Sequence, residues 1–251
     1  MMKIIMAGES WIVAETHMKG FDTAVLNRYE DFFADRFFEV LKDTGVELDY
    51  YPNHIAQSKF PQKAEELSQY DAVIISDCGS NTLLLDPEMQ FNGVRKGNRL
   101  LAIQDYVKAG GGLLMCGGYL SFAGLENKAR YAMTPIADVL PVDMLNWDDR
   151  MEHPEGVTPV VTKADHPVLK GIENSAWPEF LGYNKIMAKD EADEIAKIDG
   201  DTFMAAWDYG QGRSFAFASD LAPHWGTKEF LDWEGYEILF TNILKWLAKE
   251  I

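Results

Sequence analysis

Two polar residues late in the sequence, Asp220 and His224, have the types and the spacing needed for acid–base chemistry. They follow an apolar run in the stretch FASDLAPHWG. A carboxylate that accepts a hydrogen bond from an imidazole orients the ring and raises its pKa, which suits a general base. The competing interpretation is structural, with His224 packed beside Trp225 and bonded to a backbone carbonyl. The sequence alone leaves both open.

The stretch GGGLLMCGGYLSF has the composition of a sharp strand-to-helix turn that could present a nucleophile. Such a turn needs small residues two positions before and after the nucleophile, because strand and helix approach closely there. With Cys116 at the centre, Leu114 occupies one of these positions and is too large. With Tyr119 at the centre, the flanking residues are Gly117 and Ser121, which are both small. The pattern therefore predicts Tyr119 at the apex and Cys116 as an inert thiol at the end of a buried strand.

Polar side chains also follow the first and third predicted strands, in the stretches GESW and SDCGSNTLLL. Polar groups beside a tryptophan at the ends of strands suit a small-molecule pocket. The alternative is local structure alone, with Ser10 as a helix N-cap and Asp77 bonded to its own turn. The candidates for ligand binding are Glu9, Ser10, His17, Asp77 and Gly118.

Alternating strands and helices must position these groups. Apolar runs predict strands at residues 3–7, in VELDYYP, in DAVIIS and at residues 112–116. Helices are predicted from about residue 27 to Gly45, at 61–69 and at 99–108. This order predicts an α/β fold, a doubly wound parallel sheet with helices on both faces. Ligands of such sheets bind beyond the carboxyl ends of the strands, here at the loops 8–21, 77–85 and 117–122.

The second half of the chain has a different pattern. Residues 130–156 are rich in proline and predict loops, so the string EHPEG is placed in a loop. VTPVVTK and EFLGYNKIMAK predict short strands, and TFMAAWDYGQGRSFAFASD predicts a β-hairpin whose second strand returns to the main sheet. A final amphipathic helix at 234–249 directs five apolar residues inward: Ile238, Leu239, Ile243, Leu244 and Leu247. We expect one domain over residues 1–251.

Composition excludes several classes of function. The formal charge of −17 disfavours nucleic acids and anionic membranes as partners, because both need a basic surface. Cys78 and Cys116 are too few for a disulfide framework, and no Cys/His cluster predicts a metal site. We expect a cytoplasmic protein with no cofactor and a small-molecule ligand. Self-association into a homo-oligomer is left open.

Several of these stretches together resemble the class I glutamine amidotransferase-like superfamily, and within it a branch of bacterial cytoplasmic proteins. They are GESW with HMKGFD, SDCGSNTLLL, GGGLLMCGGYLSF, DHPVLKGI and YGQGRSFAFASDLAPHW. The resemblance covers nearly the whole chain and implies a flavodoxin-like sheet. It also implies hydrolysis of glutamine by an elbow cysteine with a His and a Glu after a late strand. In this sequence Tyr119 fills the cysteine position, and only His224, displaced by a few residues, stands near the other two.

Two functions of different classes follow. The first is a small-molecule hydrolase in which Tyr119 donates a proton or stabilises an oxyanion, because a phenol with a pKa of about 10 is a weak nucleophile. His224 would then be the general base, oriented by Asp220. The second is a binding or assembly module that has the amidotransferase fold without its nucleophile. A third arrangement, in which Cys116 swings out and attacks, conflicts with the pattern of the turn.

Overall fold

The computed structural model describes residues 2–30, 34–172 and 175–251. The strands are β1 (Lys3–Gly8), β2 (Trp11–Lys19), β3 (Asp22–Glu30), β4 (Glu47–Tyr51), β5 (Ala72–Ser76), β6 (Gly112–Cys116), β7 (Val142–Met144), β8 (Arg150–Val157), β9 (Val160–Val161), β10 (Phe180–Asn184), β11 (Ile186–Ala188), β12 (Asp193–Ile198), β13 (Asp201–Tyr209) and β14 (Gly212–Phe217). The helices are α1 (Asp35–Asp43), α2 (Asn53–Lys59), α3 (Ala64–Leu67), α4 (Ser80–Leu84), α5 (Pro87–Asn92), α6 (Arg99–Lys108), α7 (Ile136–Val139), α8 (Lys228–Leu231) and α9 (Glu234–Leu247). No described helix has the length and apolar character to cross a membrane.

The central sheet has the strand order β4-β1-β5-β6-β14-β13-β11-β7. Its first five strands are parallel, and from β13 onward the pairing is antiparallel. The order of these five strands is the flavodoxin-like 2-1-3-4-5, with the switch of direction between β1 and β5. The predicted doubly wound α/β fold is therefore confirmed, and so is the return of the β13–β14 hairpin to the main sheet. All five carboxyl ends meet at one edge.

Helices in two groups cover this sheet. α1 packs against α9, while α6 packs against α3, α4 and α7. The predicted bounds of α6 and β6 agree with the structure. Four of the five apolar side chains predicted to face inward from α9 are buried, and Phe240 is buried as well. Ile238 is 36% exposed. The prediction for Ile238 was wrong because the buried stripe of α9 runs through Leu239 and Phe240 instead.

The largest difference between the predicted and the observed fold lies at residues 11–30. They form an antiparallel β-hairpin, β2–β3, where a loop and the start of a helix were predicted. Gly20 and Phe21 make its two-residue turn, with Gly20 at φ 65°. The helix begins at Asp35, and its buried side chains include Phe37 and Val40. Phe32 and Phe33, which belong to the predicted helix, lie outside the described residues.

Three further helices were not predicted, one in a stretch left unassigned after the second strand and two in the long loop after the third. Residues 53–59, 80–84 and 87–92 form short helices, of which only α5 has the side-chain N-cap and initial proline that mark a helix start. The EHPEG string lies in β8, which pairs with β10 across an irregular register that accommodates Pro154. This strand matters for function because it adds side chains to the carboxyl edge of the sheet.

Candidate active site

Asp220 and His224 form a direct contact in the loop that follows β14. Asp220 Oδ2 lies 2.8 Å from His224 Nδ1 and also accepts a hydrogen bond from the Trp225 backbone N–H at 3.0 Å. Because Oδ2 accepts from the Trp225 N–H, we assign it as the acceptor toward His224 as well, which places the imidazole proton on Nδ1 and leaves Nε2 for a ligand. The Asp220 carboxylate is buried, whereas the His224 side chain is 37% exposed. Burial opposes protonation of the ring, but the bond to Asp220 and the charges of Asp220 and Glu152 outweigh it and raise the pKa of His224.

The turn after β6 is tight, but it is not the predicted strand-to-helix elbow. No α-helix follows β6 directly, and the residue with positive φ is Gly118 (129°) rather than Tyr119. Asn184 holds Gly118 from both sides, since its Oδ1 accepts from the Gly118 N–H at 2.9 Å and its Nδ2 donates to the Gly118 carbonyl at 3.1 Å. Asp149 accepts from the same Asn184 amide at 2.8 Å. The apex of the turn is thus a glycine fixed by a buried amide.

Two buried carboxyl groups, those of Asp77 and Asp220, flank this glycine, and a third, that of Glu9, interacts with both. A side-chain carbon added at Gly118 would lie 2.8 Å from Asp220 Oδ1 and 2.9 Å from Asp77 Oδ1. Burial, with the neighbouring charge of Asp220, raises the pKa of Asp77 to about 7, although its bond from the Leu120 N–H at 2.7 Å opposes the rise. Burial and the charges of Asp77 and Asp220 likewise raise the pKa of Glu9 well above its usual range. The Asp77 and Glu9 carboxyl groups at this edge of the sheet are therefore protonated more readily than exposed carboxyl groups.

An outer ring of side chains lies beyond these acids. Glu152 on β8 uses one carboxylate oxygen to accept from the Tyr119 hydroxyl and the other to accept from Trp225 Nε1, both at 3.0 Å. The Tyr119 ring stands edge-on to the His224 imidazole, with 4.4 Å between centroids, and the Arg150 guanidinium lies 4.8 Å from its centroid. Burial and the bond to Glu152 raise the pKa of Tyr119. The phenol therefore stays protonated and can act only as a hydrogen-bond donor or acid.

Several of the predicted ligand-binding residues make hydrogen bonds within the protein. Ser10 Oγ accepts from the Asn53 N–H at 2.7 Å, so it supports the first turn of α2 from outside that helix. It is not the N-cap that the structural alternative expected, because strand β2 follows it and Pro52 is the N-cap of α2. Glu9 accepts from the Ser76 hydroxyl at 2.5 Å. His17 is exposed on the β2–β3 hairpin and contacts Glu15. The geometry brings together Tyr119, His224, Asp220, Asp77, Glu9 and Gly118 and places His17 elsewhere.

Cys116 is the last residue of β6 and is completely buried. Its neighbours across the sheet are Ser76 on β5 and Phe217 on β14. Burial and the charge of Glu9 raise the pKa of the Cys116 thiol well above its usual range, so the thiolate needed for attack is disfavoured.

Backbone strain is concentrated at the same edge of the sheet. Glu9 (φ 46°) follows β1, Asp77 (43°) follows β5, Gly118 (129°) follows β6 and His224 (119°) follows β14. Three of these four are not glycine, and each such conformation costs on the order of 1–3 kcal/mol. Strained residues on four successive strand ends are typical of a functional site that the surrounding fold holds in place.

Sequence reasoning missed Glu152, Arg150 and Asn184. Glu152 belongs to the EHPEG region, whose proline and polar composition favoured a loop. Asn184 ends β10 without any local motif, and only its position beside the turn reveals its role. Within residues 2–30, 34–172 and 175–251, no group of His, Cys, Asp and Glu is arranged to hold a metal ion.

Comparison with known proteins agrees with this architecture. Two proteins described as cytoplasmic proteins of Salmonella typhimurium are 45% and 46% identical to the chain, with TM-scores of 0.93 and 0.92; each alignment covers 98% of this chain and 99% of theirs. A ThuA-like protein of Bacteroides uniformis shares the fold at 11% identity, with a TM-score of 0.57 over 98% of this chain and 91% of its own. No curated protein matches the chain. Residues 3–249 match the family described as "Putative glutamine amidotransferase", and the chain belongs to this glutamine amidotransferase-like family.

Proposed function

We propose that the protein is a small-molecule hydrolase that works by general acid–base catalysis without a covalent nucleophile. The 2.8 Å contact between Asp220 and His224 carries the proposal, because it orients the ring and stabilises the imidazolium that forms when Nε2 accepts a proton. His224 would remove a proton from a water molecule as its oxygen attacks an electrophilic carbon of the substrate. Collapse of the adduct would then break the bond to the leaving group, which takes up the proton held on His224 Nε2. The Tyr119 hydroxyl would donate to the substrate oxygen on which negative charge develops.

The family's usual glutaminase chemistry is not part of the proposal. That chemistry needs an accessible thiolate at the turn, and the thiol of Cys116 is buried with a raised pKa. Gly118, at the apex, has no room for a side chain beside the Asp77 and Asp220 carboxyl groups. An acid–base mechanism needs neither the Cys116 thiol nor a side chain at residue 118 as a nucleophile.

The experiment is a hydrolysis screen with chromogenic amides, esters and glycosides on the wild type, His224→Gln, Asp220→Asn and the matched control His17→Gln. General bases contribute about 10²- to 10⁴-fold, so His224→Gln should lose at least 100-fold in kcat/KM. His17→Gln changes an exposed imidazole on the hairpin and should retain full activity. Activity should rise with pH through a pKa above that of an ordinary histidine, because the base must be neutral and the pKa of His224 is raised.

A metabolite screen by thermal shift separates this proposal from the binding-module alternative. One observation favours that alternative: the Tyr119 hydroxyl is already bonded to Glu152. A ligand that stabilises the wild type and His224→Gln equally, with no turnover of any substrate by either, would assign the site to binding. Turnover that survives in His224→Gln would refute the acid–base mechanism itself.

A further inference from the structure

Glu152 joins two of the three aromatic rings at the candidate site. The rings of Tyr119, His224 and Trp225 form a triangle in which each contacts the other two. The distance between centroids is 4.4 Å from Tyr119 to His224, 5.1 Å from His224 to Trp225 and 5.7 Å from Tyr119 to Trp225. One Glu152 carboxylate oxygen accepts from the Tyr119 hydroxyl and the other accepts from Trp225 Nε1. The carboxylate therefore ties together the two rings that contact the imidazole.

Strands β8 and β10 place the Trp225 indole beside this carboxylate. Gly182 on β10 is the cross-strand partner of Glu152 on β8. A side-chain carbon added at Gly182 would lie 2.2 Å from Trp225 Nε1, so the indole occupies the space that a larger residue would fill. The Leu181 N–H also donates to the Trp225 carbonyl at 3.0 Å. The residue that follows His224 is thus held against the strand pair that carries Glu152.

The Tyr119 side chain is held both at the face of its ring and at its hydroxyl. The Arg150 guanidinium lies 4.8 Å from the ring centroid and donates two hydrogen bonds to Asp148, at 2.9 and 2.8 Å. Glu152 accepts from the hydroxyl at 3.0 Å. Arg150 and Glu152 lie two residues apart on β8, so their side chains share one face of the strand. That face of β8 therefore determines how the Tyr119 ring meets His224.

We propose that Glu152 is a positioning residue of this site, which orients the Tyr119 and Trp225 rings against His224 and adds negative charge beside the imidazole. The proposal rests on the general-base role proposed above for His224. A carboxylate suits this position because it only accepts and offers one oxygen to each of the two donors, whereas an amide has a single oxygen. Its charge also favours the imidazolium that forms when His224 takes a proton.

The charged groups around His224 come from several elements. Burial lowers the pKa of His224, but the bond to Asp220 and the charges of Asp220, Glu152 and Asp77 raise it overall. The guanidinium of Arg150 lies 3.7 Å from the Glu152 carboxylate and is the nearby cation. Asp220 and Asp77 are buried, whereas the Glu152 side chain is 45% exposed. Glu152 is therefore the carboxylate of this group whose charge can be removed with the least disturbance of the core.

Glu152→Gln tests the charge, with Glu155→Gln as the matched control on the same strand. The Glu155 side chain is 70% exposed and contacts His153 instead of the three rings. NMR titration follows the five imidazoles of the chain, and the spectrum of His224→Gln assigns the signal of His224. The proton affinity of His224 should fall about threefold in Glu152→Gln, as loss of a partly screened charge predicts, and should stay unchanged in Glu155→Gln. Urea unfolding checks that both variants stay folded.

Hydrogen exchange of the Trp225 indole tests the positioning. Glu152→Ala removes the acceptor altogether and should speed exchange of the Nε1 proton at least tenfold, whereas Glu155→Ala should leave it unchanged. Trp225→Phe assigns the signal among the seven tryptophans.

Neither measurement needs a substrate, so the two proposals can fail separately. A hydrolysis screen without turnover would count against the hydrolase alone. Where a substrate is turned over, the acid limb of kcat/KM should move to lower pH in Glu152→Gln. An unchanged proton affinity of His224 in Glu152→Gln, or unchanged indole exchange in Glu152→Ala, would overturn the role of Glu152.

Discussion

Replacing Asp77 by asparagine should make the protein more stable at alkaline pH. Asp77 is buried, and its pKa is raised from 3.8 to about 7 by burial and by the charge of Asp220. The native state therefore holds a proton that the unfolded chain, with a pKa near 3.9, releases. Between these values the native state binds more protons than the unfolded state, so the free energy of unfolding falls as the pH rises from about 4 to above 7.

Each tenfold change in proton affinity is worth about 1.4 kcal/mol, so ionising Asp77 costs the native state up to about 4 kcal/mol. Part of this cost is shared with Asp220 and His224, and we expect a measured effect of about 2–4 kcal/mol. Asparagine keeps an oxygen that can accept from the Leu120 N–H. Asp77→Asn should therefore match the wild type near pH 4 and exceed it by that amount at pH 8.

Urea unfolding at pH 4, 6 and 8 measures this difference, with Asp105→Asn as the exposed control that should follow the wild type at each pH. His224 contributes in the same direction, since its raised pKa gives stability that is present at low pH and lost as the pH rises through that value. Because the wild type and Asp77→Asn both contain His224, most of this contribution cancels when their free energies of unfolding are subtracted. A difference between Asp77→Asn and the wild type that does not change with pH would refute the reasoning.

Two further predictions concern buried groups. Iodoacetamide should leave Cys116 unmodified in the native protein and alkylate it only after unfolding, which mass spectrometry of the labelled peptides checks; rapid labelling of the native chain would contradict its burial. Asp86→Ala should destabilise the fold by about 3–5 kcal/mol in urea unfolding, because it leaves the Arg99 guanidinium, 2.9 Å away and 1% exposed, without its carboxylate. Asp208→Ala, which breaks an exposed pair with Arg213, should cost less than about 1 kcal/mol.

The sequence predicts the parts of the site that lie at the ends of buried strands. Asp77 and Asp220 follow long apolar runs, and a parallel sheet brings the carboxyl ends of such runs to one edge. Their proximity to each other follows from topology alone. The bounds of α6 and β6 were predictable for a related reason, since an N-cap at Asn98 and a continuous apolar run are local signals.

The remaining parts depend on contacts that no local pattern encodes. Glu152 reaches Tyr119 and Trp225 only because β8 pairs with β10 far along the chain. The hairpin at 11–30 did carry a signal, alternation on both sides of the Gly20–Phe21 turn. That signal was weak because both faces of the hairpin mix apolar with polar residues, so neither face marks the register.

The geometry of the turn after β6 favours the proposed acid–base mechanism over nucleophilic attack by a side chain at its apex. A nucleophile needs a side chain at the residue in the left-handed conformation, directed into open space. Here that residue is Gly118, and a side chain would collide with Asp77 and Asp220 within 3 Å. The next residue, Tyr119, extends outward to Glu152 and meets His224 edge-on. The groups able to move protons therefore stand around the turn, where the proposed mechanism uses them to activate a water molecule.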